Sequence, residues 1–123
     1  MGDQYKDWRD RLADANDPAF WPIEAIDALI AQGQAQFWAT DKAALVTRVV
    51  TYPGGAVALE AMAASGEKAE LVETIAPAVE EQAREAGLTH MKVPGRPGWG
   101  RALKQHDFRL HQEILIKELA DGQ

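Results

Sequence analysis

FWATDKAALVTRVVTYPGGAVALEAMAASGEK, residues 37–68, is the stretch whose reading decides the fold. With the three residues before it, it resolves into the runs QAQFWAT (34–40), AALVTRVVTY (43–52) and AVALEAMAA (56–64), each of strand length. Thr40-Asp41-Lys42 separates the first two and Pro53-Gly54-Gly55 the second two, and both are reversal signals. Three short strands joined by tight turns predict an antiparallel meander. Phe37, Leu45, Val49, Val57, Leu59 and Met62 are its expected core wall. The apolar runs are continuous rather than alternating, which predicts a sheet covered on both faces.

Downstream, Ser65-Gly66-Glu67-Lys68 leads into a helical pattern that runs to Ala86, with Leu71, Ile75, Val79, Ala83 and Ala86 on one stripe and Gly87 as the stop. Pro77 interrupts it, so the helix is expected either to kink there or to begin late, with Thr74 as the cap of a shorter helix. LTHMKV (88–93) reads as a strand, Gly95-Arg96-Pro97-Gly98 as a rigid turn, Trp99–Gln105 as a short helix, and Phe108–Leu119 as a last, alternating strand.

Upstream, Pro22 opens a helix with Ile23, Ile26, Leu29 and Ile30 on one face and Gly33 at its end. Before the Asn16-Asp17-Pro18 turn, residues 3–15 place Tyr5, Trp8 and Leu12 at helical spacing on a thin apolar stripe. If that first helix stays undocked, Trp8 and Trp21 form an exposed patch. The expected fold is α/β (mixed α+β), a mostly antiparallel mixed sheet flanked by helices in the order α-α-β-β-β-α-β-α-β. One domain spans residues 1–119, with residues 1–21 as an N-terminal helix and turn and residues 120–123 as a tail.

A chain of 123 residues with 46% hydrophobic residues is the size of one domain with a real core. It has no cysteine, which excludes disulfides, thiolate metal sites and a cysteine nucleophile. No run approaches the roughly 20 apolar residues of a membrane span, and the start is too polar for a signal peptide, so a cytoplasmic protein without membrane contact is expected. The net charge of −6 speaks against a general nucleic-acid coat. Residues 88–117 nevertheless carry six Lys or Arg against Asp107 and Glu113, so an anionic ligand is best sought there. A nucleic-acid accessory role through this basic third is the weakest of the functional readings.

The segments FWATDKAALVTRVVTYPGG (37–55) and EQAREAGLTHMKVPGRPGWGRALKQHDFRLHQEILIKEL (81–119), together with the order of elements, resemble the GNAT (GCN5-related N-acetyltransferase) superfamily, and in particular the small GNAT-like proteins of tailed phages and prophages. GRPGWGRAL (95–103) is the most specific piece. The resemblance implies a phage or prophage accessory protein, virion-associated or free in the bacterial host, whose partners are phage structural or assembly proteins and which can form homo-oligomers. An acyl-CoA-dependent N-acyltransferase is the alternative, with acetyl-CoA as its cofactor; the binding module needs none.

The residues divide between these readings. In GNAT enzymes the turn after the fourth strand presents backbone N–H groups to the CoA diphosphate, and the matching residues here are Ser65, Gly66 and Lys68, with the carboxylate of Glu67 among them. Glu60 lies on the strand where the family often places a carboxylate base, and it also stands to pair with Arg48 across the meander. The family's acid, a tyrosine in the helix after the fifth strand, has no counterpart in residues 99–105, which leaves Tyr52 or His106 as substitutes and argues that catalysis is lost. Arg96, Trp99 and Arg101 combine charge, a large apolar surface and a constrained backbone, a set suited to an anion or a partner. His90, His106 and His111 match no metal-binding spacing, so no metal is expected.

Overall fold

A computed structural model describes residues 3–94 and 97–119. Helices α1 (Asp3–Asp14) and α2 (Ile23–Ala31) precede a meander of β1 (Ala35–Ala39), β2 (Ala43–Thr51) and β3 (Val57–Gly66). Helix α3 (Lys68–Glu70) passes through a π-helical turn (Leu71–Ile75) into α4 (Ala76–Glu85), then come β4 (His90–Lys92) and α5 (Pro97–Lys104). The sheet order is β1-β2-β3-β4, antiparallel except that β4 joins β3 in parallel. This is the mixed, mostly antiparallel sheet flanked by helices that the sequence predicts.

The sheet has a core on each face, as its unbroken apolar runs require. On one side α1 and α2 bring Tyr5, Trp8, Leu12 and Ile26 onto Ala44, Val46 and Ala63. On the other, Leu71, Ile75, Val79 and Ala83 of the long helical run cover Ala43 and Leu59. The thin stripe of α1 is therefore fully used: Tyr5 is 1% exposed, Trp8 4% and Leu12 0%. Trp8 is thus core and the expected patch around it does not form; Trp21 is half-buried against the same cluster. Val49, expected in the core wall, is exposed, while Val46 nearer the centre of β2 is buried.

Two expectations change. Pro77 sits in the first turn of α4, as one of the two expectations has it, but Thr74 caps no separate shorter helix, because α4 continues a helical run that starts at Lys68. Its N-cap is Glu67, and one wide turn, in which the N–H of Ala76 donates to the carbonyl of Leu71 five residues back, sits directly before the proline. A proline lacks the N–H of a regular turn and its ring crowds the carbonyl four residues back, so a wider turn just N-terminal to it relieves both problems. Leu71, Val72 and Ile75 are all buried, which holds the turn in this register.

Residues 108–119 form no strand. A strand needs ladder partners, and among the described residues this segment pairs with no strand of the sheet. Of the expected turn at 95–98, Gly95 and Arg96 lie outside the described residues, and Pro97 and Gly98 belong to α5.

Candidate functional site

The candidate site begins where β3 and β4 part. They pair at Ala58–His90, Leu59–Met91 and Glu60–Lys92 and no further. One residue pair later β3 carries a bulge: Thr47 faces Ala61 while Val46 faces Ala63, which leaves Met62 as the extra residue. A bulge bends its strand and re-aims the side chains that follow. Beyond it, residues 61–66 keep β2 on one edge and, among the described residues, have no strand on the other.

A cleft of about 300 Å³ opens in this gap, lined among others by Ala61, Ala63, Leu71, Val93, Trp99 and Phe108. Thr47 is a polar group in its wall. It is 2% exposed and fully engaged, donating to Gln36 Oε1 (2.9 Å) and accepting from Trp38 Nε1 (2.9 Å). The cleft wall is thus mostly apolar, as small-molecule sites usually are, and the hydroxyl of Thr47 is held within the protein.

At the apex of the split, on the last paired residues, sits a polar cluster. Tyr52 donates its hydroxyl proton to Glu60 Oε2, and Lys92 Nζ donates to the Tyr52 oxygen at 3.0 Å. Lys92 also lies 3.6 Å from Glu60 Oε2, and Arg48 lies 3.7 Å from Oε1 across the antiparallel register. Arg48 in turn stacks over the Trp21 ring at 5.1 Å. Hydrogen bonding to Tyr52 raises the proton affinity of the Lys92 ammonium, and the nearby Glu60 charge adds to this. Lys92 therefore stays cationic through neutral pH.

At the far end of β3, Gly66 closes the strand in a left-handed conformation (φ 105°), and the Glu67 N–H donates to the Lys42 carbonyl at 2.9 Å. The helix starting at Lys68 has no side-chain cap. The Lys68 ammonium lies 5.8 Å from the centre of the Trp99 ring, which joins this helix start to α5.

Of the residues singled out in sequence, Trp99 lines the cleft and Lys68 lies over its ring, at the end of β3 where Ser65 is half-buried beside Gly66. Glu60 stands apart from them at the apex. Arg101 is exposed on α5, and Arg96 lies outside the described residues. Sequence reasoning missed Lys92. Its signal was the pairing of LTHMKV with the strand that carries Glu60, which sets the two residues opposite each other.

No family model matches the chain, and no curated protein matches it. Solved structures do. It is similar to wild-type TTHA1254 from Thermus thermophilus, with 19% identity, 98% of this chain and 95% of that chain covered, and a TM-score of 0.66. It is similar to a predicted acetyltransferase with acetyl-CoA from Clostridium acetobutylicum (14% identity, 92% and 86% covered, TM-score 0.62). It is also similar to a ribosomal-protein-alanine N-acetyltransferase from Brucella melitensis biovar Abortus 2308 (12% identity, 94% and 91% covered, TM-score 0.57). Likeness at these identities over nearly the whole of each chain establishes the architecture: this chain has the GNAT-type acetyltransferase fold.

Proposed function

We propose that the protein is an acyl-CoA-dependent N-acyltransferase whose thioester enters the split between β3 and β4. The observation that carries this reading is the split: pairing ends at Glu60–Lys92, and an apolar cleft of about 300 Å³ follows along an edge of β3 that has no strand partner among the described residues. An extended pantetheine arm suits that edge, since its amides can pair with strand backbone as a peptide would and its methylenes suit the apolar walls. In this reading the Gly66 turn and the helix start at Lys68 receive the CoA phosphates, with Lys68 favouring them and Glu67 opposing.

The apex cluster supplies proton handling. As the acceptor nitrogen forms its bond to the acyl carbon and the carbon–sulfur bond breaks, one proton must leave the amine and one must reach the sulfur. Glu60 takes the first. Tyr52 gives the second and recovers a proton from Glu60 through their shared hydrogen bond, while Lys92 stabilises the transient phenolate. Tyr52 thus fills the place of the acid that α5 lacks.

Acetyl-CoA titrated into the full chain should raise its melting temperature, and thiol release should appear with a suitable amine. Glu60→Gln should slow that release on the order of 10²-fold without changing acetyl-CoA affinity. A melting temperature unmoved up to millimolar acetyl-CoA overturns the reading.

A second reading is a binding or structural module of a tailed-phage particle that has lost catalysis. Glu67 at the diphosphate position and the exposed apolar run 110–119 favour it. It expects no response to acetyl-CoA, and loss of phage-protein association in a folded Trp99→Ala, Arg101→Ala variant. Unchanged association in that variant counts against a partner site on α5.

A further inference from the structure

A second groove, of about 410 Å³, forms where α4, β4 and the chain leaving α5 come together. The chain has three histidines and all of them line it: His90 on β4, His106 just past α5, and His111. Arg84 of α4, Lys92 of β4 and Arg109 join them. The carboxylates of the lining are Glu80 and Asp107, and Glu80 is already paired with Arg84 one helical turn on. Three fixed cations thus stand against two carboxylates, in a chain whose net charge is −6. The groove is positive before any histidine carries a charge, and the molecule as a whole is negative, so an anion finds a local minimum here.

The end of α5 assembles this lining. The His106 N–H donates to the Leu103 carbonyl at 2.8 Å, and Asp107 follows in a left-handed conformation (φ 67°). That turn lets Phe108 pack half-buried and brings Arg109 and His111 to the groove. On β4, Thr89 Oγ1 lies 2.7 Å from His90 Nδ1 and is itself engaged by the Val57 N–H at 2.9 Å and the Val57 carbonyl at 3.2 Å. His90 is therefore held through Nδ1, which leaves Nε2 for a ligand. Histidine can donate from a ring nitrogen whether neutral or charged. Among the described residues, the side chains of His106, Arg109 and His111 make no hydrogen bond or ion pair, so their donors are open to a ligand as well.

The donors are dispersed: among the described residues, no group of three His, Asp or Glu side chains could hold a metal ion. Dispersed donors suit an anion of several atoms, whose oxygens accept in several directions at once. The groove also has an apolar part, made by Ala83, Leu88, Met91 and Phe108. Met91 and Phe108 line the cleft too, and so stand between the two sites. We propose that this groove binds a small phosphate ester, its phosphate held by Arg109 with the histidines and its carbon skeleton lying on Leu88, Met91 and Phe108. The site is separate from the cleft between β3 and β4 and does not depend on how that cleft is used.

Phenyl phosphate titrated calorimetrically into the full chain, in the presence of EDTA, tests the site. Saturable binding that weakens as salt rises is expected. Arg109→Ala should weaken it about tenfold or more, and adding His111→Ala should weaken it further. Both residues are exposed, so circular dichroism should match the wild type. Lys117→Ala removes the same charge from the same segment outside the groove and should leave the affinity within about twofold. Inorganic phosphate should bind more weakly than the ester, and benzyl alcohol should not bind. No saturable binding at millimolar ester overturns the inference, as does an affinity that Arg109→Ala leaves unchanged or that Lys117→Ala lowers equally. Equal affinity for inorganic phosphate overturns the assignment of an ester. Binding that needs a metal, and so vanishes in EDTA, overturns the site, and so does binding lost in Lys68→Ala but kept in Arg109→Ala, which places the anion at the cleft.

Discussion

Gly66 shows how a single residue joins scaffold and site. A Cβ placed there would sit 2.4 Å from the Lys42 carbonyl oxygen and 2.5 Å from the Ala43 Cα, both backbone atoms, at a φ that L-residues rarely adopt. Gly33 has a similar φ of 74° but nothing within 4 Å. The two separate conformational strain from collision. Gly33→Ala should cost about 1 kcal/mol, the left-handed penalty alone. Gly66→Ala should cost on the order of 3 kcal/mol or more, because the turn between β3 and the helix must shift as well. Urea unfolding of both variants checks the difference; equal losses would mean that the close approach does not govern this turn.

At this scale the sequence revealed half of the apex cluster. Arg48 and Glu60 were legible as a cross-strand pair because the meander fixes their register through one tight turn. Lys92, 32 positions after Glu60, was not, because its placement depends on a helical crossover whose length says nothing about register. Tyr52 was visible as a possible acid but not as a partner of Glu60, since a side chain at a strand end can turn to either face.

Elements are held by contacts that cross between them, and the docking of α1 on α2 is the clearest case. Asp27 accepts from Tyr5 Oη at 2.6 Å and from Arg9 Nε and Nη2 at 2.9 and 2.7 Å. The Arg9 hydrogen bonds, helped by Tyr5 and opposed by partial burial, hold the Asp27 carboxyl below its usual range near 3.8. Burial and the hydrogen bond to Asp27 push the Tyr5 phenol up, so it stays a neutral donor. A depressed carboxyl contributes its stability in full above the unfolded value and loses it as pH falls through the folded value. Asp27→Asn should therefore lower the melting temperature at pH 7, and the gap to the wild type should shrink as pH drops below about 4. A gap that is constant with pH would assign the effect to packing.

The helical run from Lys68 to Glu85 gives a second test on elements. In an undistorted helix Pro77 would cost roughly 3 kcal/mol, and its replacement by alanine would return most of that. Here the π-helical turn already absorbs the proline, and buried Leu71, Val72 and Ile75 keep the turn in place. Pro77→Ala should accordingly change the unfolding free energy by less than about 1 kcal/mol. A gain near the full figure would show that the turn is imposed by the ring rather than by the core. The sequence marked the disturbance correctly but not its form, because a proline signals a missing hydrogen bond without saying how the chain compensates.

Across the whole molecule, the antiparallel meander, the mixed sheet and the two-sided core followed from apolar runs and turn residues. The last strand did not. Residues 108–119 alternate apolar and polar only over their first four positions, and pattern in any case leaves open which edge receives a strand. One sheet between two cores should melt as a single unit, with an unfolding enthalpy near roughly 0.7 kcal/mol per residue.

That cooperativity makes ligand binding readable in the melt. A ligand bound to the native state alone adds RT ln(1 + [L]/Kd), about 2.7 kcal/mol at a hundredfold excess over Kd. For a domain of this size, each kcal/mol moves the midpoint by roughly 4 °C, so saturation on that scale should raise it by about 10 °C. The cleft touches β3, the helical run and α5, so its ligand would tie together elements from both the meander and the C-terminal half. Free CoA, which keeps the pantetheine arm and the phosphates, should give most of the shift, whereas pantetheine alone should give less by the share that the Gly66–Lys68 turn contributes. If pantetheine matches CoA, the apolar gap carries the binding and that turn contributes nothing to it. If neither moves the midpoint, the split between β3 and β4 is not a cofactor site.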